Sequence, residues 1–109
     1  MNIIDDAEIG RAVEARNSAM IELRRDLHIH PELSFKEFRT AKIVEERLKA
    51  LGLDEVYTGV GDTGVVGVLR GAKPGKTLLV RADMDALPIA EELEGEYTKI
   101  GRASCRERV

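Results

Sequence analysis

Apolar positions between Ala7 and about His28 follow a helical period. Ile9, Val13, Met20, Leu23 and Leu27 recur at offsets of three, four and seven, with charges between them. The stripe lapses near Arg16 and Asn17, which fits a helix that is bent or only partly covered. Pro31 then breaks the pattern, because its ring pushes His30 out of the helical region. Ser34, with Glu37 three residues on, reads as a capping box. It predicts a second helix carrying Phe35, Phe38, Ala41, Val44, Leu48 and Leu51 on one side and closed by Gly52. Beyond Gly52 the period becomes that of strands, with "EVYTGV", "GVVGVLRG" and "KTLLVRAD" as candidates. "GAKPGK", between the last two, has the Pro and Gly content of a hairpin loop. The predicted class is α/β: two helices followed by a β-meander, forming a helix-covered sheet.

A length of 109 residues bounds this to one domain at most. The net charge of −3 with dispersed basic residues gives no footprint for nucleic acid. "MNIIDDAEIG" has acids where a signal peptide needs a basic start, and no apolar stretch approaches membrane-spanning length. The single cysteine, Cys105, excludes an internal disulfide and fits a reducing compartment. The cytoplasm is the expected location, with neither membrane nor nucleic acid as partner.

Two glycine-rich stretches resemble nucleotide motifs. "GVGDTG", Gly59 to Gly64, matches G-x-G-x-x-G, but the strand-like "VVGVLRG" follows where a phosphate-binding helix is needed. "GAKPGKT" is one residue short of a P-loop and also leads into a strand. Both read as turns. His28 and His30 fit the last turn of a helix, where imidazole suits the negative end of the dipole; on a strand they would share a face and a metal. Glu32 reads as structural, accepting backbone N–H groups at the turn after Pro31.

The run "LLVRADMDALPI" carries more chemistry. Leu79, Val80, Ala82 and Met84 alternate with Arg81, Asp83 and Asp85, predicting a buried strand over Leu78–Asp83 with both acids at its C-terminal end, opening to a shared cleft. Acids on a central strand demand partners. The competing reading is an edge strand with a solvated face and an internal Arg81–Asp83 pair.

Taken together, "LRRDLHIHPELSFKE", "GVVGVLRG" and "LLVRADMDALPIAEE" resemble the M20 metallopeptidase family. The subset resembled is that of N-acyl amino acid amidohydrolases, including hippurate and indole-acetyl-amino acid hydrolases. The resemblance implies an N-terminal part of a helix–sheet–helix metallohydrolase domain over residues 1–99. It implies amide hydrolysis of N-acyl amino acids assisted by two divalent ions (zinc, manganese, cobalt or nickel), and a homodimer through a lid domain. Asp85 falls on the family's acid before a proline-containing turn, implying that it orients the metal site. Asp83 falls where other branches carry a metal-binding His, whose work in this subset passes to a downstream Cys and His. Neither acid is expected to ligate metal here, and with the downstream ligands missing, no metal and no activity are expected of the 109 residues alone.

The last ten residues, "IGRASCRERV", depart from the family and follow in order the translation of a sequencing adapter, atc gga aga gcg tcg tgt agg gaa aga gtg. Residues 100–109 are therefore expected to be non-biological, disordered or only loosely placed, with Cys105 coordinating nothing and Arg102, Arg106 and Arg108 solvated. Two other classes of function fit the chain: a non-catalytic α/β protein-interaction module, and a nucleotide-binding domain, which requires a helix directly after Gly64.

Overall fold

The computed structural model describes residues 4–88 together with 104 and 105. Asp5 opens the first helix, α1 (Asp6–Ile29), by accepting the Glu8 N–H at 2.7 Å, and Asp6 and Glu8 place negative charge on the positive end of the dipole. No residue of α1 is buried. Ile9, Val13 and Met20 stay exposed, while the stretch from Asp26 to His30 is half-buried, so the lapse in the apolar stripe corresponds to a helix covered only near its C-terminal end.

The second helix, α2 (Phe38–Ala50), starts later than the capping box requires. Ser34 and Phe35 instead occupy a turn closed by the Lys36 N–H on the Leu33 carbonyl at 2.9 Å, with Phe35 at φ 64°. A left-handed residue cannot be the start of an α-helix, so Phe35 leaves the apolar face predicted for it. The C-terminal end is as expected: Gly52 at φ 72° donates its N–H to the Lys49 carbonyl at 3.1 Å.

Strands β1 (Glu55–Val60) and β2 (Gly64–Val68) form an antiparallel hairpin. Its loop holds Gly61 at φ 58° and Asp62 at φ 80°, and Gly59 at φ 67° lies where the register shifts between Tyr57 and Val60. The glycines of "GVGDTG" thus serve a bulge and a turn, and a strand follows Gly64, which removes the nucleotide-binding reading. α2 packs on the hairpin across Gly67, where a Cβ would stand 2.5 Å from Leu53 Cδ1 and 3.2 Å from Leu48 Cδ1.

The predicted third strand is not formed. Residues 69–85 adopt no helix or strand, and Leu78, Leu79 and Val80 are 87%, 85% and 82% exposed. A strand exists only through ladder bonds to a neighbour, and no described residue supplies them along Leu78–Asp83. "GAKPGK" therefore links β2 to an irregular segment and turns no hairpin, and the meander reduces to a two-stranded sheet. Regular pairing resumes just after Asp85, at β3 (Ala86–Leu87), antiparallel to β4 (Ser104–Cys105) and bridged in parallel to Leu33. Those two residues of the expected tail are its described part, and Arg102, Arg106 and Arg108 lie outside the described residues. Ala86 is the buried apolar side chain among the described residues, accompanied by Glu37 and Thr40. No described helix is long and apolar enough to cross a membrane.

Candidate functional site

Around Ala86 the "HPELS" stretch meets the acids of "RADMDALP". Glu32 acts from both its main chain and its side chain. Its carbonyl accepts the Ala86 N–H at 2.7 Å, while its carboxylate accepts the Arg39 N–H at 3.0 Å and the Thr40 N–H and Oγ1–H at 2.6 and 2.7 Å. Arg39 and Thr40 sit in the first turn of α2, so Glu32 satisfies the donors that an N-cap side chain would. Glu37, at the N-cap position, makes no capping bond of its own. Desolvation is the largest influence on Glu32 and acts to raise its pKa. The Arg39 N–H, the Thr40 hydroxyl and N–H and the Arg39 charge outweigh it together, and the carboxyl lies below its ordinary value. Glu32 thus accepts backbone N–H groups as expected, but those of the first turn of α2 and not those of the turn after Pro31.

Ser34 Oγ donates to Asp85 Oδ2 at 2.7 Å. The turn that presents Ser34 is held by Glu37, whose Oε1 accepts the Phe35 N–H at 3.0 Å and whose Oε2 accepts the Thr63 hydroxyl from the hairpin loop. Glu37 is buried, so this one carboxylate joins the strained turn, the start of α2 and the hairpin. Asp83 pairs with Arg81 through Oδ1 at 2.8 Å, and its Oδ2 is buried. That pair is the one predicted by the edge-strand reading. Asp83 and Asp85 both precede the short strand β3, and neither ends a strand over Leu78–Asp83 as expected, because that strand does not form among the described residues.

The histidines are placed as helix-end residues. His28 is in the last turn of α1, and His30 caps it with Nδ1 3.0 Å from the Asp26 carbonyl and 3.4 Å from Asp26 Oδ1. Asp26 also accepts from Arg39 Nη2 at 2.8 Å, pinning the end of α1 to the start of α2. Among the described residues no three His, Cys, Asp or Glu side chains converge on a point that could hold a metal ion. Asp83 and Asp85 are already engaged by Arg81 and Ser34, so the described residues do not by themselves fit a two-metal centre.

Sequence reasoning placed Asp83 and Asp85 side by side but missed Ser34 as a partner of the site. Its residue type and its spacing from Glu37 pointed to a helix cap, and nothing local in the chain marks a contact with a residue so far along the sequence.

Over 79 residues the chain is 54% identical to thermostable carboxypeptidase 1 of Saccharolobus solfataricus, covering 72% of this chain and 20% of that protein. Over 90 residues it is 46% identical to the N-acyl-L-amino acid amidohydrolase of Geobacillus stearothermophilus, covering 83% of this chain and 24% of that one. It also superposes with a TM-score of 0.75 and 34% identity on the crystal structure of Bacillus subtilis YxeP, a dinuclear metal-binding peptidase, covering 84% of this chain and 26% of that chain. The chain thus spans about a fifth to a quarter of the length of these relatives. No family model matches it.

Proposed function

Since this chain belongs to the M20 family of metallopeptidases and amidohydrolases, we propose that residues 1–99 are the N-terminal part of the catalytic domain of an enzyme that cleaves the amide of N-acyl amino acids. Asp85 orients the metal site of that enzyme, and Asp83 stands beside it. Two divalent ions are its cofactor, and their chemistry is the activation of a water toward the acyl carbonyl. The ligands that hold them lie outside residues 1–99. What the described residues contribute is position: a helix pair and a hairpin that fix where Asp83 and Asp85 stand.

The observation that supports this reading best is the immobilisation of Asp85. The acid matched to the family's metal-site carboxylate accepts a hydroxyl at 2.7 Å, and the next residue is tied down by its own N–H at 2.7 Å. An acid with only a solvated role has no need of such restraint. The test is to express the complete reading frame that contains residues 1–99, load it with zinc, manganese, cobalt or nickel, and follow amino acid release from hippurate and N-acetyl amino acids. Hydrolysis should be abolished by a chelator and fall roughly 10- to 100-fold in Asp85→Ala, as is typical when support of a metal site is lost. A metal-loaded protein that cleaves no N-acyl amino acid would overturn the reading.

A further inference from the structure

We propose that Ser34 is a positioning residue for Asp85, and that Glu32 is the anchor through which α2 holds both. This rests on the functional reading above for what Asp85 does, but not for how Asp85 is held.

Two links join a short stretch of "HPELS" to Asp85 and Ala86. Ser34 Oγ reaches Asp85 Oδ2 at 2.7 Å, and the parallel bridge between Leu33 and Ala86 includes the Ala86 N–H donated to the Glu32 carbonyl at 2.7 Å. The backbone link fixes the main chain beside Asp85, and the hydroxyl fixes the rotation of its carboxylate. Neither alone would set the carboxylate's direction. The main-chain link depends on Glu32, whose carboxylate is secured to the first turn of α2 and to the buried Thr40. Motion of Asp85 relative to α2 must therefore break hydrogen bonds at Glu32 or at Ser34.

The backbone strain next to Ser34 points the same way. Phe35 holds φ 64° without glycine's freedom, and its side chain is 66% exposed, so packing does not repay the conformation. What the turn secures is the placement of Ser34 against Asp85. Glu37 maintains it by accepting the Phe35 N–H. A strained residue kept by a buried carboxylate, next to a hydroxyl bound to a site acid, is the arrangement of a built support.

The test uses the complete metal-loaded enzyme. Ser34→Ala should lower kcat roughly ten-fold, the lower range for lost support of a metal site, with KM little changed. Ser34→Thr, which keeps the hydroxyl, should restore most of it. Hydrogen–deuterium exchange over the peptide containing Ala86 should quicken in Ser34→Ala and in Glu32→Gln and return to normal in Ser34→Thr. Ser34 is exposed, so the alanine variant should fold, and Glu32→Gln tests the anchor independently. Unchanged exchange in Ser34→Ala overturns the proposal whether or not the enzyme is active. Unchanged kcat in an active enzyme overturns it too. A wild type that is inactive on every N-acyl amino acid counts against the functional reading alone, because the exchange measurement still decides whether Ser34 and Glu32 hold Asp85 and Ala86.

Discussion

Glu32 accepts the backbone N–H of Thr40 at 2.6 Å and so caps α2 from outside the helix, across the strained turn at Phe35. Thr40 is buried, and without Glu32 its N–H and hydroxyl would lose their acceptor where water does not replace it. Glu32→Ala should therefore cost about 1–3 kcal/mol of stability, and Glu32→Gln less, since an amide oxygen still accepts. Urea denaturation of the two variants beside the parent chain measures the difference.

The same carboxylate makes stability depend on pH. Its folded pKa lies below its ordinary value, with desolvation opposing the shift and the hydrogen bonds and Arg39 charge overcoming it. A depressed carboxylate contributes stability that is fully present above its unfolded pKa, about 4.3, and lost as pH falls through the lower folded value. Stability should thus decline on acidification below that point, and the decline should be shallower in Glu32→Gln. Parallel slopes for the two proteins would show that Glu32 is not responsible.

Both helices, the hairpin strands and their turns were legible in the chain because each is set by local pattern: an apolar stripe, a proline, a glycine at positive φ. Glu55–Val60 begins and ends where the alternation does. The capping box was misread because Ser34 and Glu37 have the right types and spacing, yet each is claimed by a distant partner, Asp85 and Thr63. The strand at Leu78–Asp83 failed for the converse reason. Its pattern is correct for a strand, but a strand also needs neighbours, and periodicity carries no information about whether they are present.

Phe35 offers a test of the strained turn. A non-glycine residue in the left-handed region costs roughly 1–2 kcal/mol, and an exposed ring returns little of it. Phe35→Gly should be neutral to stabilising, by up to about 1 kcal/mol once the greater freedom of glycine in the unfolded chain is subtracted. A melting temperature lowered by this change would mean that the ring packs against something essential.

Gly64 and Gly67 should not respond alike to alanine. At Gly67 the added methyl meets the tips of Leu53 and Leu48, which can turn aside, so Gly67→Ala should cost about 1 kcal/mol. At Gly64 it meets the Val60 carbonyl oxygen, main chain that cannot move without breaking the hairpin register. Gly64→Ala should cost more, about 2–3 kcal/mol. Equal losses in chemical denaturation would show that the hairpin loop adapts more readily than its register implies.

The apolar run Leu78–Leu79–Val80 governs how the 109-residue chain behaves in solution. Its side chains are 87%, 85% and 82% exposed, and its backbone has no ladder partner among the described residues. An exposed, uncharged run of two leucines and a valine with no ladder partner among the described residues is a template for pairing with another copy. The isolated chain should therefore self-associate as its concentration rises. Leu79→Lys should raise the monomer fraction, because a charge in the middle of the run makes stacking of copies costly. Sedimentation velocity over a concentration series reads this directly. If the lysine variant associates as strongly as the parent chain, the contact lies elsewhere, and the exposed stripe of α1 around Ile9 and Val13 becomes the surface to alter next.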